Sequence, residues 1–479
     1  MDVIANIKNR LNAANTFAII AIVFGILFVF TTPLLWGADE TTHFGRVYQI
    51  TQGHIRSVYI GDVWGTGYGG YIPANLFSFI KAVDADLLHP NTTILDTRRV
   101  GTPNIYNQFG DQKFSKQKVI YSFPNTATYS PVAYAPSVVG VFITEKLNLN
   151  IASMIYAGRL CDLAFYILCV YFALKILRFT RTKWIIFTVA LLPMALFQAS
   201  IITADTTTNA VAILFAALII KSLIYKKPLS KLESILLLLL AIVLPLVKPI
   251  YVFFDFLILF IPKQLLRISR GTILKILALV VGLIGFVVWS YITRNVTDAV
   301  RLMRGDFWQS ISPPAQIKYA EHHIITAGVI VVRTVFLQDN TYLSQLIGWL
   351  GFDYVPAPAM AIISSLGAMG LAFLIIDKAK LSKKHAYAIL AVILACFVTL
   401  FATLYITFTR VKYPEVEGVQ GRYFIPLLPL LLVVPGVYIS NKIISGTSVK
   451  YRFICQLIVC LVLFSLTVSA LKFIYVTWY

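Results

Sequence analysis

The chain has 479 residues, of which 58% are hydrophobic and only 13% charged, and its mean hydropathy is +0.78. Soluble domains carry about a quarter charged residues, so a water-soluble globular protein is excluded. The formal net charge of +20 would suit a nucleic-acid binder, but the basic residues are scattered in short loops between apolar runs, a pattern that reports membrane topology rather than a polyanionic partner.

Apolar runs of about 17 to 25 residues recur along most of the chain, the signature of a multi-pass membrane protein. Backbone groups in lipid must be satisfied within the segment, so these runs are helices. The expected fold class is all-α, a single polytopic membrane domain over residues 1–479. Its cytoplasmic side is marked by Lys8 and Arg10, Arg178, Arg181 and Lys183, Lys226, Lys227 and Lys231, Lys263, Arg267 and Arg270, Lys378, Lys380, Lys383 and Lys384, and Lys442, Lys450 and Arg452. Such clusters stay inside and suit anionic headgroups. Cys161, Cys169, Cys396, Cys455 and Cys460 lie in apolar spans without metal or redox spacing, so they indicate neither a disulfide framework nor a zinc site.

The first span, 15–35, is too long for a signal-peptide core and is read as retained. A long outer loop follows, 36–157. With every basic cluster inside, spans fall near 159–177, 184–202, 206–224, 230–247, 250–268 and 272–292. A second outer loop, 293–356, precedes spans near 357–377, 386–408, 423–441 and 453–472. This makes about eleven transmembrane helices, amino terminus inside and carboxyl terminus outside, with no internal repeat visible. Residues 129–143, "YSPVAYAPSVVGVFI", contain two prolines and are too short to cross, so an interfacial helix is expected there. The apolar stretch from Leu232 to Pro262 is about 46 Å of helix, whereas two crossings need about 60 Å. A hairpin that is short, or extended by its basic flank, is therefore expected, with Lys248 of "LPLVKPIY" at or below the outer headgroup level in either case. An intramembrane lysine lines a cavity or meets a counter-charge; a snorkelling loop lysine is the plainer alternative.

"WGADETTHFGRVYQITQGH", residues 36–54, follows the first span directly. Asp39 is a good N-cap and Gly53 a good terminator for a helix from about Glu40 to Gln52. At 100° per residue Asp39, His43, Arg46 and Ile50 share one face within roughly 40°. Asp39 is thereby a candidate general base on a hydroxyl, with Glu40 at the edge of the stripe. The alternative is that Asp39 merely caps the helix and pairs with Arg46. "GDVWGTGYGGYIP", residues 61–73, mixes glycine with Trp64, Tyr68 and Tyr71 and reads as a mobile loop, its aromatic faces suited to a sugar ring or to ordinary packing. Arg159 opens the second span, Asp205 sits in a very short outer turn, and Gln420 and Arg422 lie at the mouth of the tenth. Arg159, Asp205, Lys248 and Arg422 at one depth suggest a site for an anionic headgroup such as a lipid phosphate. In the second outer loop, His322 and His323 are adjacent and make a poor metal pair. Ile324 to Leu337 is too short for a full span and is expected to lie at the interface, the loop acting as a lid.

The motifs "ADETTHFGRVYQITQG", "YSPVAYAP", "LLPMALFQASIITAD", "LVKPIYV", "LSQLIGWLGF" and "EGVQGRYFIPLLP", taken in this order, resemble a bacterial membrane family known as domain of unknown function family 2142. That family looks like a branch of the GT-C glycosyltransferases, the group of the protein O-mannosyltransferases and the aminoarabinose transferases of lipid A. In those an acidic pair opens an amphipathic helix after span one, as Asp39 and Glu40 do here; a short Pro-containing helix follows, and an arginine begins the next span, as Arg159 does. The eleven-span topology is similar to that of the mannosyltransferases, whereas "YSPVAY" stands where they carry a basic residue before paired prolines. The resemblance implies a polyprenyl-phosphate-linked sugar as donor, an envelope glycan, lipid or protein as acceptor, and inverting transfer on the outer face of a bacterial cytoplasmic membrane. Asp39 and Glu40 would be catalytic, with Asp39 taking the acceptor proton. His43, Arg46, Arg159, Asp205, Lys248, Gln420 and Arg422 would bind substrate, and Lys248, Arg422 or Arg159 would stabilise the leaving phosphate. No metal ligand is assigned, and a divalent metal is left open. A transporter or flippase of lipid-linked sugars, or a non-catalytic lipid- or glycan-binding partner, would use the same outer charges.

Overall fold

The computed structural model describes residues 12–60, 67–88, 106–300, 310–351, 355–439 and 448–478. Among them, seven helices are long and apolar enough to cross a membrane. The first, α1 (Ala13–Thr31), is capped by Asn12, whose side chain accepts from the amide of Ala14. It leads into α2 (Glu40–Thr51) of the outer loop. The loop then builds β1 (Val58–Tyr59), β2 (Tyr68–Pro73), α3 (Ala74–Leu88), β3 (Lys118–Ser122) and α4 (Ala135–Lys146). The second long helix is α5 (Ile151–Ile176).

The expected span 184–202 is divided into α6 (Lys183–Ala190) and α7 (Pro193–Ala199). The break falls before Pro193, which lacks the amide needed to continue the first helix. Helix α8 (Ala204–Ile219) continues through a single wider turn to Ile224. Every residue of α8 is buried, so it is the central staff around which the other helices pack. Next come α9 (Lys231–Val247), short turns over Pro249–Phe260, and α10 (Gly271–Val300). The second outer loop holds α11 (Pro313–His322), α12 (Ile324–Leu337) and α13 (Asp339–Gly348). The chain ends in α14 (Ala359–Leu374), α15 (Lys383–Thr407), α16 (Leu428–Ile439), reached through a helical turn at Gly421–Leu427, and α17 (Ser448–Trp478).

Full-length helices thus account for seven of the eleven expected spans. The other four are short or broken: α6 with α7, α9 with its internal Pro245, the turns Pro249–Phe260, and the 16-residue α14. The hairpin around Lys248 is short, one of the two outcomes its length allowed. Residues 129–143 form a turn and the 12-residue α4 rather than a crossing. Helices α11 and α12 meet at 108°, and α12 exposes Ile325, Val329 and Phe336, the pattern of a helix lying against the bilayer surface.

One part of the loop departs from an all-α reading. Strands β1, β2 and β3 form an antiparallel sheet in that order, with Gly69 opposite Ser122 and Gly70 opposite Tyr121. A Cβ on Gly69 would stand 1.9 Å from the Tyr121 carbonyl oxygen. Gly69 and Gly70 therefore permit close strand approach rather than mobility; Trp64 lies outside the described residues.

Candidate functional site

The site grows from the start of α2. Gly53 ends this helix at φ 82° as its sequence predicts, but Asp39 does not cap it. Asp39 lies in the left-handed region, φ 54° and ψ 19°, and its side chain makes no capping bond. Its carbonyl instead accepts from the amides of Thr42 and His43 and from the Thr42 hydroxyl. This half-buried carboxylate acts electrostatically on Tyr121, Tyr129, Tyr134 and Asp84.

Glu40 has a different environment. Both it and Arg159 are fully buried. Arg159 donates Nε to Glu40 Oε1 at 2.7 Å and Nη2 to Oε2 at 2.6 Å. Its other N–H groups go to the carbonyls of Val29, Thr32 and Pro33. Glu40 also accepts from the amides of Gly37 and Ile202. All five guanidinium donors are engaged, and none is left for a phosphate. The pair ties the end of α1, the start of α2, α5 and the turn before α8 together. Glu40, expected to be catalytic, and Arg159, expected at the leaving group, are thus held in a buried pair with each other.

Arg46, expected to bind substrate, is also held within the protein. It is completely buried and donates to Gln49, to Ser57 and to the carbonyls of Ile55 (2.6 Å) and Tyr129 (3.4 Å). It pins the loop beneath the site and does not pair with Asp39. Gln49 in turn donates to the Gly69 carbonyl at 2.8 Å, joining α2 to the sheet.

His43 points the other way, toward α8. Its Nδ1 lies 2.6 Å from the Tyr134 hydroxyl and its Nε2 3.4 Å from that of Thr203. Burial lowers its pKa to about 3; Asp205 raises it, while Arg422 and Lys248 lower it further. His43 is thus a neutral imidazole near pH 7. Burial also pushes the phenols of Tyr129 and Tyr134 well above their ordinary range, so both keep their protons.

Asp205 occupies the first turn of α8, where Thr203 caps the helix through the Asp205 amide. Its Oδ1 is 2.6 Å from Lys248 Nζ and its Oδ2 3.6 Å from Arg422 Nε. Gln198 Nε2 donates to Oδ2 at 2.9 Å, and Gln198 is itself held by Asn209 at 3.0 Å. Lys248 can stand here because α9 stops at Val247 and Pro249 begins the next turn, and its ammonium lies 4.0 Å from the centre of the Tyr423 ring. Arg422 is carried by the turn Gly421–Leu427, whose Gly421 amide donates to Gln345 of α13 at 2.8 Å. Gln420 precedes that turn and its carbonyl accepts from the Tyr423 amide.

Of the predicted residues, the structure brings His43, Asp205, Lys248 and Arg422 together, places Asp39 one helical turn before His43 and Gln420 just before the Arg422 turn, and holds Glu40, Arg46 and Arg159 in buried hydrogen bonds. Sequence reasoning missed Tyr129, Tyr134, Gln198, Thr203, Tyr423 and Gln345. Each lies inside a quoted motif, but an uncharged side chain gives no sign of its orientation. Among the described residues no three His, Cys, Asp or Glu side chains gather as a metal ion would need.

No curated protein and no solved structure matches this chain. The family described as predicted membrane protein (DUF2142) matches residues 22–431. That match takes in the second half of α1, the long loop after it and every residue of the buried charge cluster, and the chain belongs to this family.

Proposed function

We propose that this membrane protein transfers a sugar from a polyprenyl-phosphate donor to a cell-envelope acceptor on the outer face, with inversion. One observation carries this reading. Lys248 and Arg422, from segments far apart in sequence, converge on buried Asp205, and the same Tyr129 feels both Asp205 and Asp39. Two cations on one buried carboxylate, with a second, half-buried carboxylate acting on the same tyrosine, suit a reaction in which a phosphate gains charge as a hydroxyl loses a proton. The acceptor oxygen attacks the anomeric carbon while Asp39 takes its proton. The bond from that carbon to the phosphate oxygen breaks, and the polyprenyl phosphate leaves with the electron pair. Lys248 and Arg422 stabilise the growing negative charge. Asp205 and Gln198 orient the two cations, and neutral His43 with Tyr134 shapes the wall without adding charge. A lipid-borne donor arrives through the bilayer, so no nucleotide-binding motif is required.

The test uses the full chain in lipid nanodiscs with a panel of undecaprenyl-phosphate sugars, following donor retention and consumption by mass spectrometry. The wild type is expected to consume one donor. Asp39→Asn should retain that donor but turn it over roughly 100-fold more slowly, the usual scale for loss of a general base. Failure to retain or consume any donor, or unchanged turnover in Asp39→Asn, would sink this reading. Lipid movement across the bilayer that survives Asp39→Asn, with no sugar transfer, would replace it with a flippase.

A further inference from the structure

A charged cavity lies at the opposite end of the helices from Asp205. Its volume is about 530 Å³, and it lies between the end of α5, the wider turn closing α8, and the start of α9. Four cations line it, Lys175, Arg178, Lys221 and Lys227, against one carboxylate, Glu233. Lys221 Nζ lies 2.7 Å from both oxygens of Glu233, which also receives the Ser230 amide in a capping box. Glu233 thus neutralises Lys221. Among the described residues no carboxylate pairs with Lys175, Arg178 or Lys227.

Apart from Ser230, the rest of the lining is apolar. Phe172, Phe179 and Leu232 border the cations yet remain exposed. Two apolar stripes run away from the cavity toward mid-membrane: Leu168 with Phe172 on α5, and Leu232, Ile235 and Leu239 on α9, all exposed. At helical spacing each set lies on one face. A water-soluble anion has no use for such stripes, and a protein partner would meet them inside the bilayer. An anion carrying two acyl chains uses both the cations and the stripes.

We infer that this cavity is a binding site for an anionic glycerophospholipid, with its phosphodiester held by Lys175, Arg178 and Lys227 and its acyl chains along α5 and α9. The basic loops place this end of the helices on the cytoplasmic side, where anionic lipids attract interhelical basic pockets. The site is independent of the sugar-transfer reading, since it shares no residue with the outer cluster.

The test purifies the full chain from nanodiscs of equimolar phosphatidylglycerol and phosphatidylcholine and counts retained lipid by native mass spectrometry. The wild type should retain phosphatidylglycerol about tenfold over phosphatidylcholine. A variant with Lys175→Gln, Arg178→Gln and Lys227→Gln should retain the two equally. If that variant fails to fold, Arg178→Gln with Lys227→Gln, both on exposed side chains, should reduce the preference several-fold. Equal retention by the wild type, or an undiminished preference in the folded variant, overturns the proposal. Displacement of the bound lipid by soluble glycerophosphate alone also overturns it, since the apolar stripes would then contribute nothing.

Discussion

Glu40 and Arg159 form a buried pair with every donor and both carboxylate oxygens engaged. Removing one partner of such a pair strands the other charge and costs about 3–5 kcal/mol. Glu40→Ala or Arg159→Ala should therefore lower the thermal unfolding midpoint in detergent and the yield of folded protein, whereas Asp39→Asn should leave both near wild type. His43 adds a pH signature. Its folded pKa of about 3 lies below the ordinary 6.5, so between these values the unfolded chain binds a proton that the folded chain refuses. Stability then rises with pH across that window and is flat above it. From pH 6.5 down to 5 the His43 contribution should fall by ~2 kcal/mol. The difference in melting between wild type and His43→Gln, scanned from pH 8 to 4, should show this slope only in the wild type. None of this separates Asp39 from Glu40 in the sequence, where both are carboxylates opening one helix. The Arg159 guanidinium and the Ile202 amide, more than a hundred residues away, decide that Glu40 is the braced acid.

Close contact between elements sets the position of Arg422. A Cβ added to Gly421 would lie 1.9 Å from the Tyr342 carbonyl of α13. Gly421→Ala should push the Gly421–Leu427 turn away from α13, break the Gln345 bond to its amide and shift Arg422 off Asp205. Donor retention should fall about tenfold, the scale on which a displaced charged contact weakens binding, while the detergent-purified protein stays folded by gel filtration. The helix end at Gly53 was readable from its terminating residue, whereas α1 starts after Asn12, ahead of the bound expected at residue 15. The break between α6 and α7 was signalled by Pro193 but obscured by the uniform apolarity on either side. The sheet was harder to read. Its glycine-rich strand resembles a loop, because the partner that makes those glycines necessary, Tyr121, is some fifty residues on.

At the scale of the molecule, the basic cavity and the Asp205 cluster lie at opposite ends of the helices, and the proposed topology puts the first on the cytoplasmic side and the second outside. In a background lacking the five native cysteines, a membrane-impermeant maleimide should label His54→Cys in intact cells and reach Lys227→Cys only after permeabilisation, both wild-type side chains being exposed. Labelling of both from the same side would invert or abolish the proposed topology. Composition and charge spacing alone determined that this is a helical, multi-pass membrane protein, and where its long helices run, because the bilayer imposes length and internal hydrogen bonding on every crossing segment. They also pointed to the acidic helix after the first span and to Lys248, Asp205 and Arg422. Only the tertiary structure decided which charges meet. Pairing depends on which side chains from segments hundreds of residues apart share one buried volume, and a buried charge takes whichever partner that packing supplies.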